Sequence, residues 1–282
     1  MQDFKYLKLC KYAGSKSKYL DIILPMVDIH KIFIEPFAGS GAVLLNVKNE
    51  SKIANDINHY ITDIFQGFKY SSYDEYCTFY KECPVPYIKL NKESYYSFRD
   101  FFNLNYYKLD YKEKAFYQIT LIGACINSMP RWSKLGFNQG FGSRGYNIFS
   151  KYEFNSIKKS LENTEILNKN FFDLIYLDSD KTIWFLDPPY LSNPLGSYIE
   201  EFNKNLTLEF IENIKTFKGD VIYTDTLNEY NTELLTNSQW QYMKLDKMNS
   251  ISKNRTTNKN TMAEYIFYNF DYIKPQSPSL YD

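Results

Sequence analysis

Ile183-Trp184-Phe185-Leu186-Asp187-Pro188-Pro189-Tyr190 is an apolar run that stops at an acid, two prolines and a tyrosine. The run reads as a strand, and the prolines remove two backbone donors and stiffen its exit, leaving carbonyl oxygens pointing outward. A second run, Phe33-Ile34-Glu35-Pro36-Phe37-Ala38-Gly39-Ser40-Gly41, passes from strand to helix through small residues that let the backbone approach a ligand. Ligands sit at the C-terminal strand ends of open parallel sheets. Gly39-Ser40-Gly41 does not complete a G-x-G-x-x-G, so a ligand site is predicted without a dinucleotide fingerprint.

Outward from these two strands the chain alternates. Residues 15–27 read as helix, 31–35 as strand, 41–47 as the start of a helix, 52–55 as strand and 57–68 as helix. From about 71 to 165 the character changes to Tyr- and Phe-rich helical spacing, seen at Tyr95, Phe98, Phe101 and Phe102 and again over 112–126. A glycine-punctuated segment, 136–145, then reads as a loop or hairpin. The alternation returns with strands at 165–167, 182–186 and 220–224, separated by helical stretches at 172–177 and 206–217. Two last strands, 241–245 and 263–270, bracket a polar loop. The pattern predicts a parallel sheet covered by helices, interrupted by an insertion and then completed. Residues 1–70 and 165–282 would form the sheet domain, and 71–164 the insertion.

With 44% hydrophobic and 23% charged residues, the composition is that of an ordinary globular protein. No apolar run approaches the roughly 18 residues of a membrane span, and the N-terminus lacks a secretory h-region, so a cytoplasmic protein is expected. Cys10, Cys77, Cys83 and Cys125 form no Cys-x2-Cys pair and are expected as reduced thiols, without a metal site. His30 and His59 are the only histidines, which disfavours catalysis by an imidazole base. The formal net charge is zero, yet the bases are clustered. Five lysines from Lys5 to Lys18 and four bases from Arg131 to Lys151 meet no acid, and five from Lys244 to Lys259 meet only Asp246. Three such stretches can converge on a phosphate backbone or remain separate solvated loops.

The chemistry at Asp187 is specific. An exocyclic amino group on a base is a poor nucleophile because its lone pair is delocalised into the ring. Acceptors placed against both N–H bonds, the Asp187 carboxylate and the Pro188 carbonyl, favour a pyramidal nitrogen and stabilise the positive charge that develops on alkylation. Tyr190 supplies a stacking face for a base taken out of the helix, worth about 1–3 kcal/mol. Asp56, after the next predicted strand, is placed to accept two ribose hydroxyls or to cap the following helix.

The order Lys11-Tyr12-Ala13-Gly14-Ser15-Lys16, then 33–41, then Asn55-Asp56-Ile57-Asn58, an insertion, and Asp187 to Tyr190 resembles the Dam-type (D12 class, group alpha) DNA adenine-N6 methyltransferases. The resemblance covers nearly the whole chain. It implies an α/β fold, a Rossmann-like S-adenosyl-L-methionine-dependent sheet with an inserted, mostly helical DNA-recognition domain. It implies S-adenosyl-L-methionine contacts from Tyr12, Lys16, Phe37, Gly39, Asp56 and Asp187, with Tyr12 where members more often have Trp. Asn170-Phe171 falls where the family's polar-aromatic pair packs against the cofactor's adenine. Catalysis would rest on Asp187, Pro188 and Tyr190.

Residues 127–132 and 136–142 are similar to the family's DNA-reading segment, in which Arg131 would grip guanine or phosphate and Asn138 or Gln139 would pair with adenine. Gly140 and Ser143 stand where many GATC enzymes carry Pro and Arg, which leaves the recognition sequence open. Residues 250–261 resemble a phosphate-contacting loop, assigning that role to Lys253 and Arg255. The implied partner is double-stranded DNA bound by a monomer, with a cognate restriction endonuclease as a companion in a restriction–modification setting. The same acceptor geometry serves any exocyclic amine, so N4-cytosine and RNA N6-adenine methylation stay open, as does a DNA-binding relative without catalysis. Protein glutamine methylation is disfavoured, because its signature has Asn in place of Asp187.

Overall fold

The computed structural model describes residues 6–10, 12, 14–82, 91–142, 149–190, 203–245 and 263–272. In chain order, α1 (Leu20–Ile23) precedes β1 (Ile32–Glu35), β2 (Lys52–Asn55) and α2 (His59–Tyr70). Then come α3 (Tyr73–Glu82), α4 (Lys92–Asn105), α5 (Tyr111–Ala124), the short ribbon β3 (Trp132–Ser133) and β4 (Gly136–Phe137), and α6 (Lys151–Leu161). The chain continues with β5 (Thr164–Leu167), β6 (Thr182–Leu186), α7 (Lys204–Ile214), β7 (Asp220–Thr226), β8 (Gln241–Leu245) and β9 (Glu264–Tyr268).

Seven strands form one sheet in the order β5-β2-β1-β6-β7-β9-β8. The first five are parallel neighbours, and β9 and β8 close the edge in antiparallel fashion. β1 and β6, whose ends carry the two motifs, are adjacent, with Ile34 opposite Trp184. This is the expected Rossmann-like α/β sheet. Each central strand is buried on both faces, and the period of two divides its side chains between two cores. Phe33, Ile183, Phe185 and Ile222 face the core that holds α1 and α2, whereas Ile34, Trp184, Leu186, Val221 and Tyr223 face the one that holds α7.

Among the described residues, 73–161, between β2 and β5, carry α3 to α6 and the ribbon. α5 is buried nearly all round, and its Phe116 joins Phe68 of α2, Tyr76 of α3 and Phe154 of α6, with ring centroids of neighbouring pairs 5.1–6.3 Å apart. The helical stretch therefore shares its core with one face of the sheet. α4, α5 and α6 each begin with a capping box, from Asn91, Asp110 and Ser150 respectively, which satisfies amides that the helix leaves free.

Two predicted helices differ. Residues 15–27 form three short pieces, 3₁₀ at Lys16–Tyr19, α1, and 3₁₀ at Leu24–Met26. Pro25 has no N–H to give and its ring crowds the preceding turn. Residues 41–47 form turns rather than a helix, because the Leu44 amide donates to Glu35 Oε2 at 2.7 Å instead of to the preceding turn. Cys10, Cys77 and Cys125 are free thiols, and Cys83 lies outside the described residues. Among the described residues no helix is long and apolar enough to cross a membrane.

Candidate active site

A cavity of about 630 Å³ opens at the C-terminal ends of β1, β2 and β6. The connection after β1 supplies Phe37, Gly39 and Ser40, that after β2 supplies Asp56, and that after β6 supplies Asp187, Pro188, Pro189 and Tyr190. The N-terminal segment adds Tyr12, Gly14 and Lys16 to the lining, and Asn170-Phe171 belong to it as well. All seven residues expected to hold a cofactor and all three expected to be catalytic thus line one cavity.

Gly39 adopts a φ of +49°, and a Cβ there would lie 3.2 Å from the Tyr12 ring. The missing side chain lets the aromatic wall approach the turn. Asp56 fixes the same turn: Oδ2 accepts from the Gly39 amide and Oδ1 from the Asn58 amide, both at 2.9 Å. Burial pushes its carboxyl up to about 6 against the opposing pull of these two amides. Asn58, not Asp56, caps α2, accepting from the Tyr60 amide. Phe37 stacks on buried Phe171 with centroids 5.5 Å apart, making one flat apolar side of the cavity.

Asp187 is held by three side chains. The Lys16 ammonium donates to Oδ1 at 2.6 Å and Oδ2 at 2.7 Å, and to the Gly14 carbonyl at 2.9 Å. Thr224 donates to Oδ1 at 2.8 Å and the Tyr190 hydroxyl at 3.2 Å. The Lys16 ammonium also lies 4.9 Å from the centre of the Tyr190 ring. Burial, then the Asp187 charge, drives the Tyr190 hydroxyl well above its ordinary range, so it stays a donor.

Two residues here escaped the sequence reading. Glu35 ends β1, is buried and lines the cavity; burial raises its carboxyl well above the usual range. Thr224 lies in β7, in the strand beside the Asp187 motif. A polar residue ending an otherwise apolar strand is the signal Glu35 shares with Asp187, whereas Thr224 lies inside β7 and shows no such signal.

The segment resembling a DNA reader borders the same cavity. Met129 lines it, and Trp132 packs between Tyr60, stacked at 5.8 Å, and Tyr12 at 6.5 Å. Asn103 of α4 receives the Phe137 amide and donates to the Phe137 carbonyl, clamping the β3–β4 ribbon. Gly136, at φ +105°, leaves room for that clamp, since a Cβ would meet Asn103 at 2.3 Å. Arg131 and Asn138 are exposed beside each other on the ribbon, the Asn138 amide donating to the Arg131 carbonyl at 2.8 Å. Gln139, half-buried next to Asn138, donates through its side-chain amide to the Met129 carbonyl and accepts from the Gly140 amide. Lys253 and Arg255 lie outside the described residues.

Residues 12–251 match the family model described as D12 class N6 adenine-specific DNA methyltransferase. The chain is 26% identical to the DNA adenine methylase of Escherichia coli K12, covering 94% of this chain and 96% of that protein. It is 32% identical to the type II methyltransferase M.MjaIII of Methanocaldococcus jannaschii, over 64% of this chain and 68% of that one. It is also 25% identical to the modification methylase StsI of Streptococcus sanguinis, over 98% of this chain and 42% of that one.

Proposed function

Because the chain belongs to the D12 class of N6 adenine-specific DNA methyltransferases, we propose that it methylates N6 of an adenine turned out of duplex DNA, with S-adenosyl-L-methionine as donor. The observation that carries this reading is Asp187, held at the mouth of β6 on the same cavity as the glycine turn and Asp56. The cavity suits the donor chemically. Gly39 leaves a cradle that a Cβ would fill, Asp56 and Asp187 offer carboxylates to a cationic ligand with hydroxyls, and Phe37 with Phe171 offers a flat apolar side. Tyr12, Lys16, Phe37, Gly39, Asp56, Phe171 and Asp187 would hold it, Asp56 through the ribose hydroxyls. When bound, the donor supplies an electrophilic methyl on a sulfonium.

Everything else falls to the chain's own groups. Asp187 and the Pro188 carbonyl accept the two N–H bonds of the target amine and localise its lone pair. Asp187 then faces the positive charge that grows on N6, while Lys16 balances the carboxylate before the base arrives. Tyr190, tethered through its hydroxyl, keeps its ring beside the carboxylate for stacking against the extruded base, offsetting part of the few kcal/mol that extrusion costs. Residues 71–164 serve as the target-recognition domain, with Arg131 and Asn138 or Gln139 reading base edges and Lys253 and Arg255 meeting phosphate. The enzyme acts as a monomer on DNA, and a restriction endonuclease companion accords with the modification-methylase names among its relatives.

Methyl-labelled S-adenosylmethionine and adenine-containing duplex DNA test this directly. Label recovered in N6-methyldeoxyadenosine after digestion is the expected result. Label in N4-methyldeoxycytidine, or none in DNA, overturns it.

A further inference from the structure

The donors on Asp187 are unequally shared. Oδ1 accepts from Thr224, Tyr190 and Lys16, whereas Oδ2, among the described residues, accepts from Lys16 alone. A carboxylate oxygen has two in-plane lone pairs, so Oδ1 is filled and Oδ2 keeps an acceptor position. The three donors on Oδ1 also differ in kind. Lys16 and Tyr190 line the cavity, while Thr224 does not and is fully buried.

Thr224 reaches Asp187 from the neighbouring strand. Leu186 of β6 is in register with Tyr223 of β7, so Thr224 follows that pair as Asp187 follows Leu186. Its hydroxyl has one proton, with Asp187 Oδ1 at 2.8 Å, the Leu186 carbonyl at 3.4 Å and the Tyr190 hydroxyl as acceptors in reach. The shorter, charged acceptor takes the proton. A β-branched side chain in a strand is restricted at χ1, so the donor is aimed before any ligand binds.

We infer that Thr224 is the positioning residue that sets the rotation of the Asp187 carboxylate, turning Oδ2 toward the target amine. The inference rests on the function proposed above. The terminal torsion of Asp is broad, and without a fixed donor the carboxylate can rotate about it. The acceptor would then be aligned only at the moment of reaction, and preorganisation is what makes such groups effective. Lys16 and Tyr190 line the cavity and face whatever enters it, whereas Thr224 stands behind the carboxylate, away from the lining.

Thr224→Val keeps the shape and removes the hydroxyl; Thr224→Ser keeps the hydroxyl; Thr224→Ala covers the case in which valine disturbs folding. Single-turnover methyl transfer to duplex DNA is measured at saturating cofactor, with cofactor Kd by calorimetry and a thermal melt of each variant. The valine or alanine variant should lose roughly 10- to 100-fold in rate, the effect of one hydrogen bond to a charged group. Cofactor Kd and KM for DNA should be unchanged, and serine should restore most of the rate. An active wild type with an equally fast valine variant overturns the inference, as does a serine variant no faster than valine, or a melting loss without a rate loss. A wild type that transfers no methyl to DNA overturns the underlying function instead.

Discussion

Asp187 and Asp56 are two buried-side carboxylates on one cavity with different work to do. Asp187 faces charge that appears only in the transition state, so Asp187→Ala should cut kcat by about 10²–10³ and leave DNA binding and the fold in place. Single-turnover rates beside a DNA-binding isotherm check it, and near-normal turnover would remove Asp187 from the chemistry. Asp56 faces a ribose present in ground and transition states alike, and it also holds the glycine turn through the Gly39 amide. Asp56→Ala should therefore raise the cofactor KM with little change in kcat. A collapse of kcat at constant KM would give Asp56 another role. The Asp187 motif was legible because few chemistries need an acid followed by two prolines and an aromatic at a strand end. Thr224 was not, because a Thr inside Val-Ile-Tyr-Thr looks like an ordinary strand residue until β7 is seen beside β6.

At the scale of elements, the central strands were readable because each is a short, mostly apolar run buried on both faces. Helices were readable where a cap precedes an apolar face, as in α4, or a long apolar run, as in α5. They failed where a distant group took over a backbone amide, as Glu35 does at Leu44. The β3–β4 ribbon shows the same dependence on tertiary contact. It is two residues per strand, too small to stand alone, and Asn103 of α4 ties it down through both backbone groups of Phe137. Asn103→Ala leaves those groups without their partner, so it should loosen the ribbon and weaken DNA binding while the cofactor Kd stays put. Amide exchange at Phe137 checks it; unchanged protection would show that the clamp is dispensable. Arg131→Ala should narrow the gap between cognate and scrambled duplexes, since a bidentate base contact contributes about 1–3 kcal/mol of discrimination. Equal losses on both duplexes would place Arg131 on the backbone.

For the molecule as a whole, the site is held together at an electrostatic cost. Burial pushes Asp56 and Asp225 up to about 6 from ordinary values of 3.8, and raises Glu35 as well. A carboxyl raised in the fold stabilises it when protonated. That contribution is complete below the unfolded value and is lost as pH rises through about 6. Glu75 acts in the opposite sense, lowered to about 2 by Lys112 and the Ser72 amide, so its contribution is lost as pH falls below the ordinary Glu value. Asp56→Asn should therefore flatten the decline in Tm between about pH 4 and pH 7. A pH profile parallel to that of the wild type would mean that Asp56 titrates alike in the folded and unfolded chains.

Substrate, product and the role of Asp187 are all reached by one measurement. DNA from cells that express the protein, sequenced by a method that reports N6-methyladenine in context, should show the mark at adenines within one short sequence. The mark should vanish in cells expressing Asp187→Ala at equal protein level. Methylation of cytosine alone, no methylation with the wild type, or an unchanged adenine mark with the variant would contradict the account.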